Sequence, residues 1–316
     1  MKYIITEDDS GKTVKEILLG NIGISVSFLR HLKFIENGIL LNGEHATVRK
    51  KVTVGDTLEI ATEDKELGSR LTPKDIPLDV IYEDDALVVP SKPANMPTHP
   101  SHDHHGDTLA DALAYRYRNE SSPFVFRPIN RLDRNTSGLT LIAKNRISAA
   151  KLSESMRNGK IKKLYVAILD GIPSENCGTI KTYMRRTAES IIVREVCPDG
   201  EGDLAITHYK VLCKNDRYSL VLAAPETGRT HQLRVHFSHI GCSILGDDLY
   251  GNISPYIQRH ALHAISLEFL HPSGERELSL YAPLCEDMGV LATSLFGCDV
   301  EEHIYGAIES YKKQKE

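Results

Sequence analysis

One carboxylate in this chain is flanked by arginines and stands directly before a predicted buried strand. Asp133 lies between Arg131 and Arg134, and the turn-forming residues at 135–138 lead into the apolar run 139–143. A lone aspartate of this kind is usually a solvated partner in a weak ion pair. Here the loop enters a core strand, where a rigid scaffold tends to place catalytic groups, and neighbouring guanidiniums favour the ionised carboxylate. The sequence therefore makes Asp133 a candidate nucleophile or base.

Two later segments carry further candidate residues. Residues 162–170 predict a strand with side chains alternating between two faces. Within it, Tyr165 taken alone is best explained as a core aromatic. Residues 230–241 predict a helix with Thr230 as its N-cap and a glycine at its end. Arg229 then stands just before a helix start, where backbone N–H groups favour an anion.

The distribution of charge around Asp133 differs from that of the whole chain. The 316 residues have a net charge of −5, which by itself argues mildly against a nucleic-acid partner. Residues 127–163, however, contain ten basic and two acidic side chains. This basic stretch surrounds the candidate carboxylate and favours contact with phosphates.

Length and composition indicate which class of protein this is. The length predicts two domains, and 41% apolar residues with 26% charged residues are ordinary for a globular protein. No run approaches the roughly 18 apolar residues of a membrane span, and the start lacks the apolar segment of a signal peptide. The six cysteines are far apart, which argues against structural zinc and disulfides. We therefore expect a cytoplasmic protein that does not contact a membrane.

The order of segments predicts two domains, a linker and a tail. Residues 1–62 predict two helices, at 13–19 and 27–35, then a hairpin at Asn42-Gly43 and a closing strand. Residues 63–77 are charged and read as a linker. We expect a larger domain at 78–284, ending in a hairpin, and a helical tail at 285–316.

Three of these segments together resemble the RluA-type pseudouridine synthases. Residues 131–133 (RLD) and 136–138 (TSG) match that family's R-L-D-x-x-T-S-G motif, with Asn130 in place of its leading histidine. Residues 163–171 (KLYVAILDG) match its tyrosine motif, and residues 228–251 are nearly unbroken family sequence. Residues 1–62 resemble the small αL RNA-binding domain first known from a ribosomal small-subunit protein.

The resemblance implies a fold, a reaction and a set of roles. The fold would be α+β: a mixed, largely antiparallel sheet with peripheral helices and a central cleft, preceded by the αL domain. The reaction would be isomerisation of uridine to pseudouridine within RNA, with no cofactor and no metal. Asp133 would be the catalytic carboxylate and Arg229 its ion-pair partner. Tyr165 would stack on the uracil and relay a proton, and Arg131 would fill the space that the flipped base leaves.

The resemblance also implies where RNA binds. The candidate RNA-binding residues are Arg30, Lys33, Arg49, Lys50 and Lys51 in the first domain, and Arg134, Lys144 and Lys163 in the second. Residues 1–60 hold eight basic and eight acidic side chains, so a structural or protein-binding role remains an alternative for the first domain. The expected partner is RNA, with ribosomal RNA favoured over transfer RNA, and the enzyme is expected to be a monomer.

Two functions from other classes compete with this interpretation. A non-catalytic RNA-binding protein would keep the basic surface without needing the three catalytic side chains together. A metal-dependent hydrolase would use the histidines of residues 101–107 (SHDHHGD) with His236 and His239. No metal-ligand spacing supports the hydrolase, and hydrogen bonding or exposure explains these histidines better.

Overall fold

A computed structural model describes residues 1–24, 26–61, 71–101, 104–120, 123–297 and 300–313. The predicted linker at 63–77 and the histidine-rich segment 101–107 lie partly outside the described residues. Within them the chain forms two units, each with its own sheet and its own buried apolar cluster. None of the described helices is long and apolar enough to cross a membrane.

The N-terminal unit is a four-stranded antiparallel sheet with short helices packed against it. Its strands are β1 (Lys2–Ile4), β2 (Ile39–Leu41), β3 (Glu44–His45) and β4 (Thr57–Ile60), in the order β1-β4-β2-β3. Its helical segments are a 3-10 turn (Glu7–Asp9), α1 (Val14–Glu16), a π-helical turn (Ile17–Asn21) and α2 (Val26–Leu32). Aliphatic side chains from both helices and the sheet form its core.

Local interactions explain how the first helix and the hairpin of this unit form, and the hairpin turn was predicted. The Thr13 hydroxyl accepts a hydrogen bond from the Glu16 N–H and the Glu16 carboxylate accepts one from the Thr13 N–H, which starts the first helix. That helix continues beyond α1 as the π-helical turn. Asn42 and Gly43 both have positive φ, at 56° and 83°, as a tight hairpin turn requires.

The second unit is built on an eleven-stranded mixed sheet. Its strands are β5 (Asp79–Glu83), β6 (Leu87–Lys92), β7 (Ser137–Leu139), β8 (Ile142–Ala143), β9 (Lys162–Asp170), β10 (Cys177–Arg186), β11 (Arg194–Cys197), β12 (Asp203–Lys214), β13 (Tyr218–Pro225), β14 (Leu262–Leu270) and β15 (Glu277–Tyr281). The order is β11-β10-β12-β13-β9-β14-β7-β6-β5, with β15 beside β14 and β8 beside β6. Among the described strands, β7 and β14 form the parallel pair and the other neighbours are antiparallel. The predicted α+β architecture is confirmed.

Five helices cover this sheet: α3 (Leu109–Arg116), α4 (Arg146–Arg157), α5 (Gln232–His239), α6 (Glu286–Phe296) and α7 (Val300–Lys313). Phe237 of α5 and Ile304 of α7 share one buried cluster with Val166 of β9 and Val221 of β13. Leu152 of α4 belongs to a separate cluster. The predicted tail is therefore helical, and its helices share the core of the second unit.

The apolar run 139–143 is not one continuous strand. It is divided into β7 and β8, because the Leu141 N–H donates to the side-chain oxygen of Asn130 and the Thr140 N–H to the carbonyl of Pro90. Gly138 precedes the division with φ of +108°, and a Cβ there would lie 2.2 Å from the carbonyl oxygen of Ala264. Close approach of β14 therefore requires a glycine.

The start of α5 also differs from the prediction. Thr230 is not its N-cap: the helix begins at Gln232, and His231 occupies the N-cap position with a left-handed φ of 58° and no side-chain capping bond. The Gln232 side chain holds the segment before the helix, because its oxygen accepts hydrogen bonds from the Arg229 N–H and the Thr227 hydroxyl. The chain thus reverses at residue 231.

Two of the buried histidines of this unit, His236 and His263, are almost completely inaccessible to water. His236 is hydrogen-bonded through its two ring nitrogens to Thr182 and Thr207, and His263 to the Ser137 hydroxyl. Burial lowers the pKa of each imidazole from its ordinary 6.5 to about 4. Both are therefore neutral in the folded state near neutral pH.

These histidines predict how stability depends on pH. Between pH 6.5 and about 4.5 the unfolded chain binds more protons than the folded one, so the free energy of unfolding falls as the pH falls. We expect up to about 1.4 kcal/mol per pH unit for each histidine. Urea unfolding of the wild type and of His236→Gln at pH 7, 6 and 5 measures this. An equally steep pH dependence in the variant would contradict the explanation.

Candidate active site

A cleft of about 960 Å³ opens in the second unit. It is lined by the loops 97–101 and 128–136, by β9, and by residues 225–234 before and within α5. Six cationic side chains line it: Arg131, Arg134, Lys163, Arg194, Arg229 and Arg234. Asp133 is the one carboxylate among the described lining residues. The cleft is thus suited to an anionic ligand presented to a single acidic group.

The loop that carries Asp133 is held from both sides. The Thr98 hydroxyl donates to the Leu132 carbonyl at 2.9 Å, just before Asp133. After it, the Thr136 N–H closes a turn onto the Asp133 carbonyl at 3.1 Å, and the Thr136 hydroxyl is hydrogen-bonded to buried His260 at 2.8 Å. The Asp133 side chain, 29% exposed, therefore projects into the cleft from a fixed backbone.

Lys92 also holds the loop of Asp133, through hydrogen bonds to backbone carbonyls. Its fully buried ammonium donates three hydrogen bonds, to the carbonyls of Pro93 and Met96 at 2.8 Å and of Arg134 at 3.1 Å. Burial, with a smaller contribution from Arg259, lowers the pKa of Lys92 to about 7. The lysine joins the loop after β6 to the loop of Asp133.

Asn130 replaces the histidine expected from the family pattern, and its role is structural. Its amide nitrogen donates to the Leu139 carbonyl at 3.2 Å, and its oxygen accepts the Leu141 N–H at 2.7 Å. The side chain thereby bridges the gap between β7 and β8. A residue with one donor and one acceptor is needed here, which explains how the motif tolerates the change.

Tyr165 on β9 faces the same cleft as Asp133. Burial, and then the negative charge of Asp133, raise the pKa of its phenol well above the ordinary value. Tyr165 is therefore protonated near neutral pH. The structure brings three of the candidate catalytic residues, Tyr165, Asp133 and Arg131, to one cleft.

The predicted ion pair between Arg229 and Asp133 is wrong. Arg229 lines the cleft, but its Nε donates to the Leu204 carbonyl at 3.0 Å and its guanidinium lies 3.7 Å from Asp203. The reversal of the chain at His231 turns residue 229 toward β12.

Arg234 takes the place expected of Arg229. Its Nη1 lies 3.8 Å from Oδ2 of Asp133. Its other two nitrogens bind fully buried Asp247, with Nε to Oδ2 at 2.7 Å and Nη2 to Oδ1 at 2.6 Å. Such a two-pronged pair fixes the plane of the guanidinium. One nitrogen is left to face the catalytic loop.

Sequence reasoning missed Arg234 although a signal was present. It stands between Leu233 and Val235 in an amphipathic helix, on its buried side. An arginine buried in this way needs a carboxylate partner, so its position predicts an ion pair. His231 lies just before this helix, and its left-handed backbone brings its side chain to Asp133 as well. The Nε2 of His231 lies 3.9 Å from Oδ1 of Asp133.

Comparison with known proteins shows the family of this chain. A family model described as RNA pseudouridylate synthase matches residues 86–239. An uncharacterised RNA pseudouridine synthase of Bacillus subtilis is 37% identical over 279 residues, which cover 88% of this chain and 98% of that protein. The chain belongs to the RluA-type pseudouridine synthase family.

Other relatives support the same assignment. A ribosomal large subunit pseudouridine synthase D of Zymomonas mobilis is 36% identical over 272 residues, 81% of this chain and 86% of that protein. The structure of human RNA pseudouridylate synthase domain containing 1 is similar with a TM-score of 0.55 and 28% identity, covering 69% of this chain and 86% of that one. This pseudouridine synthase is therefore an isomerase that acts on RNA.

The predicted RNA-binding residues of the synthase fall into three groups. Arg134 and Lys163 line the cleft, and burial lowers the pKa of Lys163. Lys144 does not line it: its ammonium lies 3.3 Å from Glu83 and 4.8 Å from the centre of the Tyr117 ring. The five basic residues of the N-terminal unit, Arg30, Lys33, Arg49, Lys50 and Lys51, are exposed on that unit.

The different contacts of Arg229 and Arg234 predict different kinetic effects of their substitution. Arg234→Lys should slow pseudouridine formation by about 10²–10³-fold, because an ammonium cannot bind Asp247 in two places and still face Asp133. Arg229→Ala, the control, should weaken RNA binding while changing the rate on saturating RNA by less than about tenfold. Single-turnover assays with both variants decide. Equal losses of rate would mean that Arg229 acts on the reacting groups after all.

Proposed function

We propose that this synthase converts uridine in RNA to pseudouridine through Asp133, without a cofactor. The observation that carries the proposal is one carboxylate, held on a fixed loop, in a cleft lined by six cations. The bond between uracil N1 and the ribose breaks, the base turns, and a bond from ring carbon C5 to the ribose forms. C5 loses a proton and N1 gains one. Atoms and electrons balance, so the reaction requires no redox group.

Asp133 acts either as the nucleophile at the ribose or as the base that starts the isomerisation. Arg234 stabilises the charged form of the carboxylate from 3.8 Å away, and that contact can shorten when RNA excludes water from the cleft. The carboxylate lies on the loop and the guanidinium on a helix. RNA that binds between them would complete the site.

Tyr165 stacks on the uracil and passes on the proton that leaves C5. Its raised pKa makes the phenolate an unfavourable resting state. The hydroxyl therefore serves as a relay, which gives up its own proton as it receives the one from carbon. This role requires the target base to leave its stack, as enzymes that modify bases generally require.

The cations around Asp133 hold the RNA. Arg131 is exposed at the rim of the cleft, next to Asp133, and would fill the space that the flipped base vacates. Arg134 and Lys163 contact phosphates. Lys163 is 9% exposed and has no carboxylate partner among the described residues, so an RNA phosphate would supply its counter-charge.

The role of Asp133 predicts the effect of its removal. Asp133→Asn should abolish pseudouridine formation, a loss of at least about 10³-fold, because the amide is neither a nucleophile nor a base. RNA affinity should change by less than about tenfold. Tritium release from RNA labelled at C5 of uridine measures the first quantity and filter binding the second. Activity within tenfold of the wild type would refute the proposed chemistry.

The RNA substrate that we propose is large-subunit ribosomal RNA. Relatives from Zymomonas mobilis and Haemophilus influenzae carry that substrate in their names. Mapping of pseudouridines in RNA from cells with and without the gene tests this. Loss of a pseudouridine from transfer RNA alone would mean that the substrate is transfer RNA. We also propose that the enzyme is monomeric and cytoplasmic. The cysteines within the described residues are free thiols, as is usual for cytoplasmic proteins.

The N-terminal unit is proposed to bind RNA outside the cleft. Arg30 and Lys33 are exposed and stand next to Phe34, which is 89% exposed and can stack on an unpaired base. Arg30→Gln with Lys33→Gln should weaken RNA binding and reduce the slope of log affinity against log salt by about 1.5. The control Lys2→Gln removes a charge already paired with Glu59. A lower single-turnover rate with unchanged affinity would contradict this role.

A further inference from the structure

The carboxylate of Asp133 has a different neighbour on each oxygen. Arg234 faces Oδ2 at 3.8 Å, and the Nε2 of His231 faces Oδ1 at 3.9 Å. Neither distance is yet a hydrogen bond, but contacts of catalytic groups often shorten only when substrate is bound. What His231 does to Asp133 depends on which ring nitrogen carries the proton.

The opposite edge of the His231 ring decides this. Its Nδ1 lies 2.8 Å from the hydroxyl oxygen of Tyr250. That same oxygen accepts the backbone N–H of Arg194 at 2.8 Å. A phenol has one proton, and Nδ1 is the partner within reach for it. Tyr250 therefore donates to Nδ1, which leaves the proton of a neutral imidazole on Nε2.

The charge of Asp133 selects the same tautomer. With the proton on Nδ1, the lone pair of Nε2 would point at a carboxylate oxygen and the two would repel. Burial lowers the pKa of His231, the positive charge of Arg234 lowers it further, and Asp133 opposes both. The ring is thus a neutral hydrogen-bond donor directed at Oδ1.

The backbone at His231 is strained in the conformation that produces this geometry. Its φ of 58° is left-handed, which is unfavourable for a residue with a Cβ, and its side chain does not cap α5. The ring packs edge-on against Tyr250, with centroids 5.6 Å apart. Strain of this kind persists where the surroundings impose it, often at functional sites.

We propose that His231 is a positioning residue for Asp133, and that Tyr250 sets the imidazole tautomer which performs this task. The Nε2–H binds Oδ1 while Arg234 binds Oδ2, so the plane of the carboxylate is fixed and its remaining lone pairs point into the cleft. The inference rests on the proposed role of Asp133. Hydrogen bonds join the Arg194 N–H of β11 to Tyr250 and Tyr250 to His231, whose Nε2 faces Asp133 at 3.9 Å.

Two substitutions of His231 distinguish the effect of its Nε2–H hydrogen-bond donor from the effect of its side-chain size. In His231→Asn the amide can reach Tyr250 but not Asp133, and asparagine tolerates left-handed backbone. In His231→Gln the amide nitrogen reaches the position of Nε2. We expect His231→Asn to slow single turnover on the order of 100-fold, the cost of misplacing a reacting group by about 1 Å, with RNA affinity unchanged. His231→Gln should recover part of that loss.

The tautomer of His231 can be measured by NMR, independently of the reaction rate. In ¹⁵N-histidine spectra of the wild type, the His231 signals should show protonated Nε2 and bare Nδ1, and Tyr250→Phe should mix the tautomers. Tyr250→Phe should also slow single turnover, and add little to the loss in His231→Asn. His239→Asn, an exposed histidine of the same helix, is the matched control and should react as the wild type does.

The outcomes distinguish this inference from the proposed function. If Asp133→Asn retains activity, the proposed role of the carboxylate fails. If Asp133→Asn is inactive but His231→Asn reacts at the wild-type rate, only the role of His231 is overturned. Equal losses in His231→Asn and His231→Gln, a wild-type Nδ1–H tautomer, or additive effects of Tyr250→Phe and His231→Asn would also overturn it.

Discussion

The buried ion pair between Arg234 and Asp247 is the interaction on which the geometry of the cleft depends. Two charges removed from water are stable only when every donor and acceptor has a partner. Asp247 meets this condition, because its Oδ1 also accepts the N–H groups of Leu249 and Tyr250. One carboxylate thus aims the guanidinium at Asp133 and folds the turn that carries Tyr250. Residues 247–250 therefore bind both neighbours of Asp133: Asp247 binds Arg234, and Tyr250 binds His231.

The catalytic loop shows the complementary arrangement. It has no sheet partner at Asp133 itself, yet its backbone is bound before and after that residue by Thr98, Lys92 and His260. Side chains here replace the ladder of hydrogen bonds that would hold a strand. A loop bound in this way leaves the carboxylate exposed to a ligand while its backbone stays in place.

The N-terminal unit meets the second unit near this loop. The Arg146 guanidinium lies 5.3 Å from the centre of the Phe28 ring, and Ile147 packs against the N-terminal core. Both residues begin α4, which follows the catalytic loop and the two short strands β7 and β8. The start of α4 thereby joins the two units.

Much of the secondary structure could be predicted from the sequence alone, because the sequence signals that specify it act over a few residues. Alternation in residues 162–170, the Asn42-Gly43 turn and the turn-forming residues after Asp133 each predicted what the structure contains. The partner of Asp133 was decided only by tertiary structure. Arg229 and Arg234 lie five residues apart in one motif, and a left-handed residue between them determines which one faces the carboxylate. Asp247, which holds that arginine, comes from a turn that only the folded chain brings near.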